Sequence, residues 1–214
     1  MQSNVKKLVF MGDSISDCAR ARPVGEGLFG AVGNGFIHLV DAMVKSQRPQ
    51  WNLRVVNMGI DGNTSADLLA RWDTDVLCQK PDIVAVLVGI NDVWRQFDSP
   101  LQTELQVTPE AYRQNLCAMV EKTLPSTKQM LFLSPFFLEP NAEEPMRAQM
   151  DCYGAIMREV AQKYQMPFVD LQTAFAPLLQ AYHPAFIAWD RVHPNPTGQM
   201  VIANAVWDAL AAML

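Results

Sequence analysis

The sequence has little of what most often announces metal, disulfide, membrane or nucleic-acid chemistry. Histidine occurs three times, at His38, His183 and His193, without a His-x-x-x-His or similar pair, so the usual zinc spacings are missing and no metal site is expected. The four cysteines, Cys18, Cys78, Cys117 and Cys152, are scattered and form no Cys-x-x-Cys. They read as reduced, mostly buried thiols of a cytoplasmic protein rather than a disulfide framework. No uninterrupted apolar stretch approaches the roughly 20 residues of a membrane span. Met1 to Lys7 is polar, and the apolar run that follows is shorter than the about 7–15 residues of a signal-peptide core. Seventeen Lys and Arg stand against 22 Asp and Glu, a net charge of −5 with no basic run, which argues against a nucleic-acid partner.

What is present suits a globular α/β domain. The chain has 214 residues, half of them hydrophobic, enough for one sizeable core and short for two ordinary domains, so residues 1–214 read as a single domain. Short apolar runs at Leu8–Met11, Leu53–Met58, Ile83–Val88, Met130–Leu133 and Pro167–Asp170 read as strands. Between them lie helical patterns at Phe36–Val44, from Thr64 or Ser65 through Trp72, at Thr108–Thr123 and at Glu143–Tyr164. A short helical piece from Thr173 and a final helix from about Thr197 to Leu214 complete the chain. The final helix is apolar around most of its circumference, which suggests a subunit contact. Strand and helix alternate five times, which calls for a parallel sheet covered by helices on both faces, since parallel crossovers must be right-handed and long enough to hold a helix.

In such sheets ligands sit beyond the carboxyl ends of the strands, and three marked turns fall there, at Ser14, Gly62 and Asn91. Gly12-Asp13-Ser14 follows the first strand and reads either as a plain strand-to-helix turn with a capping Asp or Ser, or as a seat for a nucleophile beside free backbone N–H groups. Acyl transfer needs that nucleophile, a base, a group to orient the base and donors for the oxyanion. Only His193 has a carboxylate three residues before it on a tight segment, Asp190, able to hold one ring nitrogen while the other faces Ser14. His183 lies in a loop without an acid partner, and His38 sits in a helix. The Ser14 N–H, the Gly62 N–H and the Asn91 amide are the candidate oxyanion donors. Residues 25–30 spell Gly-x-Gly-x-x-Gly, but Pro23 precedes them in place of a strand and no helix opens within them. They read as a loop bordering the site, and no dinucleotide or other cofactor is expected.

Together and in this order, Gly12-Asp13-Ser14-Ile15, Gly62 within Ile60–Ser65, Gly89-Ile90-Asn91-Asp92 and Asp190-Arg191-Val192-His193 resemble the blocks of the SGNH (GDSL) hydrolase superfamily, with Ile15 where the signature usually has Leu. The resemblance implies a flavodoxin-like three-layer α/β/α sandwich on a five-stranded parallel sheet. It also implies serine esterase chemistry, with Ser14, Asp190 and His193 as triad and Gly62 and Asn91 completing the oxyanion hole. The flanks Arg22–Leu28, Asn91–Phe97 and Ala188–Pro194 are similar to those of bacterial intracellular acetyl-xylan esterases and related carbohydrate deacetylases. That likeness implies a homo-oligomer acting on small acyl esters or acetylated oligosaccharides, with Asp13, Trp94 and Trp189 as candidate substrate contacts. The alternatives that share these blocks are a lysophospholipase or thioesterase for longer acyl chains, and a non-catalytic module that binds acylated sugars.

Overall fold

The computed structural model describes residues 5–127 and 129–214; the polar start at Met1–Asn4 lies outside them. Five strands, β1 (Lys6–Gly12), β2 (Leu53–Asn57), β3 (Ile83–Leu87), β4 (Met130–Leu133) and β5 (Phe168–Val169), pair entirely in parallel in the order β2-β1-β3-β4-β5. β1 and β3 run side by side from Leu8 opposite Ile83 to Gly12 opposite Leu87, and every residue of β3 and β4 is buried. These strands lack apolar/polar alternation because helices cover both of their faces, as parallel sheets require.

The helices in chain order are α1 (Ser14–Asp17), α2 (Phe36–Gln47), α3 (Ser65–Ala70), α4 (Trp72–Asp75), α5 (Ile90–Asp98), α6 (Pro109–Thr123), α7 (Pro145–Lys163), α8 (Leu171–Ala181), α9 (Pro184–Ile187) and α10 (Pro196–Met213). Most begin on a side-chain cap. Thr64 closes a capping box with Asp67, Thr108 and Asn195 cap α6 and α10, and each of the last two helices has Pro in its first turn. A cap of this kind contributes about 1 kcal/mol and fixes the angle at which the chain enters the helix.

Four expectations are modified. The pattern through Trp72 breaks at Arg71 into α3 and α4. Ile90–Asp98, read as a motif and not as an element, is a helix of nine residues, with Ile90 and Val93 buried. The surplus apolar surface of α10 is partly accounted for within the chain: Trp207 packs on Trp51 with ring centroids 5.2 Å apart. Of the cysteines, none is in a disulfide among the described residues, but Cys78 and Cys152 are exposed and Cys18 and Cys117 half-buried, so the thiols are less buried than expected. Among the described residues no helix is long and apolar enough to cross a membrane, and no group of three or more His, Cys, Asp or Glu is arranged to hold a metal ion.

Candidate active site

The order β2-β1-β3 puts the ends of three neighbouring strands side by side, and each leads into a polar turn. Beyond β1, Asp13 caps α1 through a hydrogen bond donated by the Ile15 N–H to its Oδ1 (3.0 Å), which sets Ser14 as the first helical residue. Beyond β2, Gly62 turns the chain with a φ of 75°, a left-handed conformation that glycine adopts without strain. Beyond β3, Gly89 precedes α5 at a φ of 135°, where a Cβ would meet the Pro135 ring at 2.8 Å and the Tyr112 hydroxyl at 2.9 Å. Asn91 follows on the first turn of α5.

Buried polar side chains hold these turns together. Asn57, the last residue of β2, donates through Nδ2 to the carbonyls of Ser16 (2.6 Å) and Val32 (2.8 Å), and its Oδ1 accepts from the Gly59 N–H (2.9 Å). It thereby ties the serine turn to both the second turn and the glycine-rich loop. Asp92 accepts from the Ser65 N–H at 3.0 Å and from the Ser65 hydroxyl at 2.5 Å, joining the Gly62 loop to α5. Asn91 donates to the Asn63 carbonyl (3.0 Å), and its Oδ1 accepts from an Arg95 N–H (3.2 Å). With one amide N–H used and the oxygen occupied, the remaining N–H of Asn91 is directed by its neighbours instead of rotating freely. Asn57 and Arg95 escaped the sequence reading. The signal available for Asn57 was an amide closing β2 directly after the apolar Val55 and Val56.

The base arrives from the other end of the chain. Asp190-Arg191-Val192-His193 is a turn in which Asp190 Oδ1 accepts from the N–H groups of Val192 (3.0 Å) and His193 (2.9 Å). The other oxygen, Oδ2, lies 2.6 Å from His193 Nδ1. A carboxylate only accepts, so Nδ1 carries the proton and Nε2 is left as acceptor for the Ser14 hydroxyl at 2.8 Å. Burial raises the Asp190 pKa, but the hydrogen bonds from the His193 ring and from the two backbone N–H groups outweigh it and hold the carboxyl below its ordinary range. The anion that orients the imidazole therefore persists at neutral pH.

These residues open onto one cleft of about 490 Å³, lined by Ser14, Gly62, Asn91, Trp94, Arg95 and His193 among others. The Trp94 ring lies 6.0 Å from that of His193, and the Arg95 guanidinium sits 5.4 Å from the Trp94 ring centre. Among the described residues the N–H groups of Ser14 and Gly62 meet no acceptor, so both are free to receive one from a ligand. Gly62 and Arg95 also border a second cavity of about 430 Å³ whose walls include Thr64, Asp67, Glu104, Gln106 and Asn115.

The geometry thus gathers Ser14, His193, Asp190, Gly62, Asn91 and Trp94. Two of the sequence-derived substrate contacts are corrected. Asp13 is fully buried, and its side chain turns inward to cap α1, away from any ligand. Trp189 is 84 % exposed and does not line this cleft within the chain. His183 caps α9 through Nδ1, which accepts from the Ala185 N–H, and His38 is an exposed residue of α2. The glycine-rich loop makes a single antiparallel bridge from Gly25 to Asn57 and lacks the strand and helix of a dinucleotide site.

The model of the GDSL-like Lipase/Acylhydrolase family matches residues 10–201. An acetylxylan esterase of Geobacillus stearothermophilus is 47 % identical over 200 residues, covering 94 % of this chain and 91 % of that one. The crystal structure of Axe2, an acetylxylan esterase from the same organism, superposes with a TM-score of 0.94 at 45 % identity over 98 % of this chain and 96 % of its own. LAE5, an alpha/beta hydrolase enzyme from the metagenome of Lake Arreo, Spain, does so with a TM-score of 0.94 at 50 % identity and the same coverage. Matching structures of Axe2 include catalytic mutants in which a serine, a histidine and an aspartate are each replaced by alanine.

Proposed function

Since the chain belongs to the GDSL-like lipase/acylhydrolase family, we propose that it is a serine esterase that removes acetyl groups from carbohydrates such as acetylated xylo-oligosaccharides. The observation that carries this reading is the file of Ser14 Oγ, His193 and Asp190 at 2.8 and 2.6 Å, in a cleft that also holds the Gly62 and Asn91 donors. Ser14 Oγ attacks the acetyl carbonyl while His193 Nε2 takes its proton, and the Asp190 carboxylate stabilises the imidazolium that forms. The N–H groups of Ser14 and Gly62 and the Asn91 amide receive the oxyanion. Because they are fixed before the substrate arrives, they need little reorganisation as charge develops. His193 then returns the proton to the departing sugar oxygen, leaving acetyl-Ser14, and activates a water that releases acetate.

The 430 Å³ cavity beyond Gly62 and Arg95 sets Asp67, Glu104, Gln106 and Asn115 beside the apolar Ala66, Leu105, Val107 and Ala111, a mixture that suits the hydroxyl groups and the apolar ring faces of a saccharide. The reading takes residues 1–214 as one catalytic domain of a cytoplasmic, homo-oligomeric protein. Exposed Trp189, Phe186 and Tyr182 support the oligomer, which light scattering in solution checks.

The test is release of acetate from acetylated xylo-oligosaccharides by the wild-type protein and by Ser14→Ala. Ser14→Ala is expected to lose turnover while keeping its melting temperature, and a phosphonate ester is expected to leave a mass adduct on Ser14 alone. Undiminished activity in Ser14→Ala overturns the assignment. A preference for acyl chains of eight or more carbons overturns the substrate class but leaves the chemistry standing.

A further inference from the structure

One carboxyl beside the site has no role in the mechanism above. Asp13 is fully buried, and only its Oδ1 is engaged; Oδ2 meets no partner among the described residues. The charged groups facing it are of the wrong sign. Asp92 approaches from α5 and Asp61 from the loop after β2. The nearby cation, Arg71, donates to the Gly12 and Met58 carbonyls and to Asp75, and makes no hydrogen bond to Asp13. The buried Tyr112 also faces this pair of acids, with its hydroxyl given to the Val88 carbonyl. Of the two inner acids, Asp92 is the one with both oxygens supplied with donors, from the Ser65 N–H and hydroxyl. A buried carboxylate without a counter-ion or a second donor is far costlier than the neutral acid in the same place. Burial, with the charge of Asp92 adding to it, accordingly pushes the Asp13 pKa up to about 7.

We propose that Asp13 works as a neutral acid: protonated, it is a positioning residue that caps the Ser14 turn without setting a negative charge beside the oxyanion hole, and its ionisation slows turnover. Ser14 is the next residue in the chain, and an anion at Asp13 would oppose the negative charge that develops on the ester oxygen, through an interior that screens weakly. A serine in this position would have served as a helix cap equally well and would never ionise in this range. Asp13 instead couples the cap to a proton. Two demands then bound the working range: His193 must be neutral to accept the Ser14 proton, and Asp13 must be protonated. A rise and a fall in kcat with increasing pH follow, with the fall belonging to Asp13.

The proposal rests on Ser14 and His193 acting as described, so its test has one arm independent of turnover. In the first arm, the infrared difference spectrum between the wild-type protein and Asp13→Asn at neutral pH is recorded. A carboxylic-acid C=O band lost in Asp13→Asn is expected, and loss of only a carboxylate band overturns the proposal. In the second arm, kcat and KM for a generic soluble acetyl ester are followed against pH. Asp13→Asn, whose amide oxygen still caps Ile15, should keep kcat within about threefold of wild type on the acid side and lack the alkaline fall. Asp13→Ala, which loses the cap, should lose roughly tenfold in kcat at every pH with little change in KM. A wild type without an alkaline fall, an alkaline fall that survives in Asp13→Asn, or a loss in Asp13→Asn as large at all pH values as in Asp13→Ala overturns the proposal. Failure of acetylated sugars as substrates, with the generic ester still hydrolysed, touches only the substrate reading above.

Discussion

The two halves of the candidate site are made in different ways. Ser14, Gly62 and Asn91 stand where β1, β2 and β3 end, and their turns are cross-linked by Asn57 and Asp92, both buried beneath the cleft floor. Asp190 and His193 sit on a loop between α9 and α10, and their alignment comes from hydrogen bonds within four consecutive residues. The frame that holds the nucleophile and the oxyanion donors is therefore part of the core, and altering its buried cross-links disturbs folding and chemistry together. The base side is added at the surface, where chemistry is separable from stability.

Substitutions sharpen that contrast. The largest effect is expected of His193→Ala, which should lower kcat by roughly 10⁴–10⁶-fold, as loss of a triad base does elsewhere. Its melting temperature should stay within a few degrees of wild type, because the ring is partly exposed and Asp190 keeps its backbone donors. A large thermal shift would break the comparison. Asn57→Ala, far from any reacting atom, should cost on the order of 3–5 kcal/mol by leaving two buried carbonyls and an N–H unpaired. For a chain of this size that is a fall of about 6–20 °C, measurable by calorimetry, together with a lower kcat from a loosened Ser14 turn. A stable Asn57→Ala with normal turnover would show that the core does not hold the nucleophile.

The last effect concerns pH. Asp13 and Asp92 have pKa values raised by burial to about 7 and about 6. Between about pH 4, the range of an unfolded Asp, and 7 the folded state holds protons that the unfolded chain has released, so stability falls as pH rises through this window. Asp190 has the opposite sign: its depressed pKa contributes stability that is lost as pH falls through the acid range. Melting curves of Asp13→Asn against pH should therefore show a gain over wild type at pH 8 that disappears by about pH 4, at about 2–4 °C for each kcal/mol. An equal gain at both ends would mean that the amide packs better, with no titration involved.

Much of this was legible in the sequence, and the pattern of what was not has a physical cause. The five strands announced themselves as apolar runs because both sheet faces are covered, and the capped helices α6 and α10 carried Thr108-Pro109 and Asn195-Pro196 at their starts. α5 was missed because Gly89 gives no side-chain cap, although Ile90, Val93, Trp94 and Phe97 fall at helical spacing. Asp13 was misread as a ligand contact because a side chain's direction depends on backbone torsions, which a motif does not state. Asn57 and Arg95 act on residues 41 and four positions away, through contacts that exist only in the fold or on one helix face. Trp189, next to the acid in sequence, points to solvent for the same reason.

The bracket in which Asp190 grips both the backbone and the ring of His193 has an evolutionary corollary. Acid and base travel as one cassette, so lengthening or shortening the chain on either side alters how far the imidazole reaches while its tautomer is inherited intact. Divergence can therefore retune reach by sliding this cassette, whereas relocating the serine would mean rebuilding the centre of the sheet.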